Sequence, residues 1–104
     1  MLYPTPRISI RQSDLKTICI TLLLIHEEFK ALSQILQMEG LIEKLLLKAL
    51  KKYKRKNPTI RIQINVSEYA AICQLFKIGN IHLGLEIEPL FQSLQNQFLK
   101  QFYP

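Results

Sequence analysis

Tryptophan is absent from this 104-residue chain, and glycine is scarce. The three glycines, Gly40, Gly79 and Gly84, stand apart and form no glycine-rich loop able to cradle a phosphate. Histidine occurs twice, as His26 and His82. His26 precedes Glu27 and Glu28, but no second histidine follows at the spacing of a zinc-binding helix. It reads as a helix-surface residue. The two cysteines, Cys19 and Cys73, lie in apolar, helix-like stretches, with no second cysteine or histidine at metal-ligand spacing from either. They are expected to be reduced, buried thiols, which suits a cytoplasmic protein. Only eight residues are acidic, and pairing with nearby lysines accounts for them. No nucleophile, base and acid can be assembled from so few candidates. The chain is therefore expected not to be an enzyme, with no catalytic residue, no metal and no cofactor. Long apolar runs are missing too. Leu22–Ile25 is far short of the roughly 20 residues a membrane span requires. The opening residues carry Pro4 and Pro6 and no apolar stretch, so no secretory leader is expected.

What is present is a core and a charge. Apolar residues make up 48% of the chain, enough for one folded domain over residues 1–104. The formal net charge is +6. Lys44, Lys48, Lys51, Lys52, Lys54, Arg55 and Lys56 concentrate half of the cationic side chains in one short region. Such a cluster fits a phosphate backbone or another acidic partner. It also fits a solvated helix C-terminus, whose partial negative charge favours cations.

Along the chain, Arg7-Ile8-Ser9-Ile10-Arg11 alternates polar and apolar residues, the period of a half-buried strand. Ser13 and Asp14 are good cap residues for a helix running from Leu15 to about Gln37. Its apolar stripe is Leu15, Ile18, Leu22, Ile25, Phe29, Leu32 and Leu36. Gly40 suits a break. Leu41–Lys54 is expected as a second helix, with Leu45, Leu46, Ala49, Leu50 and Tyr53 inward, ended by Asn57-Pro58. The pattern then restarts with the alternating Arg61-Ile62-Gln63-Ile64-Asn65. A helix opens at Ser67 and Glu68 and runs to about Ile78, and Gly79-Asn80 signals a turn. Over 81–87 the alternation of Ile81, Leu83, Leu85 and Ile87 leaves a third strand or a helix open. Pro89 then begins a last helix carrying Leu90, Phe91, Leu94, Phe98 and Phe102.

Two stretches match. Arg7 to Cys19 aligns with Arg61 to Cys73 at six of thirteen positions: Arg7/Arg61, Ile8/Ile62, Ile10/Ile64, Ser13/Ser67, Ile18/Ile72 and Cys19/Cys73. This implies an internal repeat over 7–54 and 61–103 with a linker at 55–60. The fold class expected is mostly α with a short two-stranded, or three-stranded, β element, built as two strand–helix–helix units in one domain.

A strand followed by two helices, best matched over Thr59 to Gly79, resembles the ribbon-helix-helix family of DNA-binding proteins. The resemblance implies that two such strands pair as an antiparallel ribbon, which enters the major groove of duplex DNA. Ile62 and Ile64 would then face the core, with Arg61, Gln63 and Asn65 facing the groove. Arg7, Ser9 and Arg11 would do so from the first unit. Arginine can fork onto guanine, and glutamine or asparagine onto adenine. Lys51, Lys52, Lys54, Arg55 and Lys56 would contact phosphates. The pattern departs from the family in a first helix about twice the usual length and in Gly79-Asn80-Ile81-His82, which lacks the family's hydroxyl residue.

The function implied is that of a small DNA-binding transcriptional, plasmid or phage regulator. Two other readings remain open: a small basic helical subunit or adaptor of a nucleoprotein assembly, and a protein-interaction or inhibitor module. The aromatic C-terminal helix could also join copies into a homo-oligomer.

Overall fold

The computed structural model describes residues 7–84 and 88–102. It is mostly helical, with one short two-stranded antiparallel sheet. The order is β1 (Arg7–Arg11), α1 (Gln12–Glu28), α2 (Lys30–Ile35), α3 (Met38–Ala49), β2 (Thr59–Gln63), α4 (Val66–Leu83) and α5 (Glu88–Phe102).

The alternation of β1 and β2 sorts their side chains onto two faces. Ile8, Ile60 and Ile62 are buried and Ile10 is half-buried, all on the helices. The polar residues between them are exposed. The register pairs Arg7 with Gln63, Ile8 with Ile62, Ser9 with Arg61, Ile10 with Ile60 and Arg11 with Thr59. Ile8 thus faces its own counterpart in the repeat. Arg7 pairs with Gln63, and their counterparts Arg61 and Ser9 pair in turn. A local two-fold axis therefore passes through the Ile8–Ile62 pair. The packing follows it: α3 lies against β2, α5 against β1, and α1 against α4. The two halves share one buried cluster, which includes Leu15, Ile18, Leu22, Ile25, Leu45, Ile72, Leu75, Leu94 and Phe98.

Several boundaries differ from the sequence expectation. The long first helix is broken. Phe29 leaves helical geometry at φ −128°, ψ 55°, and Gln37 adopts a left-handed conformation at φ 55°. The apolar stripe continues across both breaks, because Phe29, Leu32 and Leu36 still pack on the core. With the break, α1 has 17 residues and α4 has 18, so the repeated helices are equal within one residue. Gly40 lies inside the first turn of α3 rather than at a break. That helix ends at Ala49, so Lys51 to Lys56 form an irregular segment instead of a helix end, and Leu50 is exposed rather than inward. Gly79-Asn80 is not a turn. It lies within α4, which runs on to Leu83 and stops where Gly84 turns left-handed at φ 61°, a conformation glycine adopts without strain. Ile81 and Leu83 are accordingly helical, not strand; Leu85–Ile87 lie outside the described residues.

His26 is half-buried, not on the surface. Its Nδ1 hydrogen-bonds the Ser33 hydroxyl and its Nε2 lies 3.7 Å from Glu39 Oε1. This cluster ties α1, α2 and α3 together at the break. Ser33 is fully buried, so its hydroxyl satisfies the ring rather than facing a substrate. Cys19 is buried and burial pushes its thiol up to about 11; Cys73 is half-buried, also raised by burial, and both are free. In α5, Leu94 and Phe98 are buried, Phe98 stacks on Tyr69 at 3.9 Å, and Phe91 meets Phe76 edge-on. This aromatic face closes the chain's own core. Leu99 is the large apolar residue of α5 that stands exposed among those described.

Candidate nucleic-acid interface

The outward face of the ribbon carries Arg7, Ser9 and Arg11 from β1 and Thr59, Arg61 and Gln63 from β2, all exposed. Alternation put them there: each is next to an isoleucine that packs on the core. No acidic residue occurs in either strand. Among the described residues, none of the three guanidinium groups has an acidic partner. The face is therefore cationic and hydrogen-bonding, and its side-chain donors have no partner among the described residues.

Asn65, expected on this face, is occupied otherwise. It follows the strand as the cap of α4: its side chain accepts from the Glu68 amide at 2.7 Å, and the Glu68 carboxylate accepts from the Asn65 amide at 3.0 Å. This reciprocal box satisfies two backbone donors. In the first unit the corresponding residue is Arg11, which makes no side-chain cap. There the opening amides of α1 are satisfied from elsewhere. Gln12 donates to the Pro58 carbonyl at 2.9 Å, and Ser13 donates to Asn57 Oδ1 at 2.9 Å. Asn57 reaches this position with a left-handed backbone at φ 51°, which asparagine tolerates better than most residues.

These bonds hold the basic segment beside the ribbon. At its start, the Gln12 side-chain amide donates to the carbonyls of Ala49 and Lys51, both at 2.8 Å. At its end, Asn57 and Pro58 hold the start of α1. Tyr53, half-buried, packs from within, with Lys51 Nζ 5.5 Å from its ring centre. Lys51, Lys52, Lys54, Arg55 and Lys56 are exposed, and none has an acidic partner among the described residues. The segment leads directly into Thr59, which pairs with Arg11. The two groups of cationic residues identified from sequence thus meet at one end of the ribbon.

The two edges of the ribbon are treated differently. Along β1, Gln101 accepts from the Arg7 amide at 2.9 Å and donates to its carbonyl at 2.6 Å; Gln97 does the same for Ser9 at 2.9 and 2.7 Å. Two glutamines one helical turn apart thus act as a surrogate strand. Along β2, Lys44 donates to the Gln63 carbonyl at 2.6 Å while paired with Glu68 at 3.3 Å. Gln63 is the counterpart of Ser9, so Lys44 stands where Gln97 stands in the other half. Among the described residues, no side chain bonds the backbone of Arg61, the counterpart of Arg7, on the open edge.

Thr59, Gln97, Gln101, Lys44, Gln12 and Asn57 were not singled out as site residues from sequence. One signal was available for Thr59: Pro58-Thr59 repeats Pro4-Thr5, extending the duplication upstream of the strands. Gln97 and Gln101 share a helix face by their spacing, but their target strand lies far away in sequence and nothing local marks it.

Among the described residues no helix is long and apolar enough to cross a membrane. Comparison with protein-family models, with curated proteins and with solved structures gives no match.

Proposed function

We propose that this chain is a single-chain ribbon-helix-helix protein that binds duplex DNA, inserting the paired strands into the major groove as a small regulator would. One observation carries the reading: residues 7–11 pair antiparallel with 59–63, with their isoleucines turned inward and Arg7, Ser9, Arg11, Arg61 and Gln63 turned outward. A two-stranded ribbon fits the major groove, and these side-chain types match the donor and acceptor patterns of base edges there. Lys51, Lys52, Lys54, Arg55 and Lys56, held beside the ribbon, act on the phosphates, which position the protein without reading sequence. Asn65 acts in this reading as a helix cap and not as a base reader. Because one chain supplies both strands, binding requires no homo-oligomer.

The test is a fluorescence-anisotropy titration of the purified chain with duplex DNA across a salt series. Affinity is expected to fall steeply with salt. Combined substitution of Arg7, Arg11 and Arg61 by alanine is expected to abolish sequence preference. Absence of salt-dependent binding to duplex DNA at low ionic strength would rule the function out. Retained preference in the triple variant would remove the ribbon from it and favour a backbone-binding subunit of a nucleoprotein assembly.

A further inference from the structure

The local two-fold axis relates the backbones of the ribbon but not its chemistry. Arg7 and Arg61 are equivalent and identical. Ser9 and Gln63 are equivalent but differ, one a short hydroxyl and the other a two-point amide. Arg11 is exposed, whereas its equivalent Asn65 is spent on capping α4. The surroundings differ more. The segment preceding β2 carries Lys51, Lys52, Lys54, Arg55 and Lys56, and leads into the Arg11–Thr59 end of the ribbon. Of these five, Arg55 and Lys56 have equivalents before β1, and these are the uncharged Met1 and Leu2. At the Arg7–Gln63 end, Lys44 is already paired with Glu68.

We infer that the target is an asymmetric, non-palindromic stretch of duplex DNA, bound by one chain in one fixed polarity and gripped through its phosphates on one flank only. This rests on the DNA-binding function proposed above and adds the class of site. A symmetric dimer places identical residues over both half-sites, so its operator mirrors its two-fold symmetry. Here the two halves of the reading face present different side chains, so the best site reads differently in its two halves. Five cations beside one end extend the phosphate contacts beyond the bases read at that end, while the opposite flank lies next to a neutralised lysine.

The experiment selects binding sites from a randomised duplex pool with the full chain, then footprints the recovered duplex with hydroxyl radicals and measures stoichiometry. The expected result is a consensus without dyad symmetry, one chain per site, and backbone protection reaching further on one side. Replacing Lys51, Lys52, Lys54, Arg55 and Lys56 by glutamine is expected to shorten protection on that side alone. It should also reduce the slope of log affinity against log salt by up to about 0.9 for each phosphate that is no longer neutralised. A palindromic consensus, two chains per site, protection trimmed equally on both sides, or a pool that yields no consensus would each overturn the inference while leaving DNA binding standing. A pool from which no duplex is retained defeats the DNA-binding function itself.

Discussion

The two halves of this molecule follow one plan and solve its local problems differently. In the second half, β2 passes into α4 through a self-contained cap made by Asn65 and Glu68. In the first, β1 passes into α1 with no cap of its own, and Asn57 and Pro58 supply the missing acceptors from the connecting segment. A residue that need not cap its helix is free for other work. Arg11 points outward where Asn65 is tied down. The same exchange runs through the edges, where α5 bonds the backbones of Arg7 and Ser9 with two glutamines and α3 reaches β2 with a lysine. The two strands share a symmetric frame, and the caps and edges depart from it.

The comparison can be tested energetically. Its centre is the Ile8–Ile62 pair, both members of which are buried. Truncating either to alanine removes core packing at equivalent places, and each is expected to cost about 2–5 kcal/mol by chemical denaturation. Costs that differ by several-fold would show that the two-fold relation is geometric and not energetic. The edges come next. The double substitution Gln97→Ala, Gln101→Ala deletes four hydrogen bonds to β1. Water can replace them, so the expected loss is about 0.5 kcal/mol each, about 2 kcal/mol in all. Lys44→Met on the β2 side is expected to cost about 0.5 kcal/mol, because its partly exposed ion pair contributes little. Equal losses at the two edges would erase the distinction drawn between them. The caps give a narrower contrast. Asn65→Ala is expected to cost about 1 kcal/mol. Arg11→Ala, at the equivalent position, is expected to change stability by less than about 0.5 kcal/mol while weakening DNA binding. A stability loss at Arg11 matching that at Asn65 would mean that the two residues share one structural role.

Much of this frame is legible in the amino-acid order, because period-two alternation with isoleucine is a strong local signal. It places β1, and it places β2 two residues late, at 61–65 where the strand runs Thr59–Gln63; the outward set Arg7, Ser9, Arg11, Arg61 and Gln63 follows from it. The break at Phe29 is invisible, since no glycine or proline marks it and the apolar stripe runs straight through. Tertiary packing keeps Phe29, Leu32 and Leu36 on the core while the backbone kinks between them. Gly79-Asn80 misleads in the opposite sense. A turn signal there is overridden by a helix that continues to Gly84. Asn65 misleads because one residue type serves both base recognition and capping, and Glu68 three residues on was the clue that favoured the cap. The glutamine contacts to β1 join residues about ninety positions apart, beyond the reach of any local pattern.

Those glutamines also bear on the solution behaviour of the chain. A two-stranded ribbon has two open edges, and an open edge is a template on which another strand can grow. Gln97 and Gln101 fill the backbone positions of Arg7 and Ser9 with amide groups, the same chemistry an incoming strand would offer. The β1 edge is thereby closed to edge-to-edge aggregation by the fold itself. The β2 edge has no such pair of amides among the described residues, and the unpaired charge of Arg61 repels a second copy of the same edge.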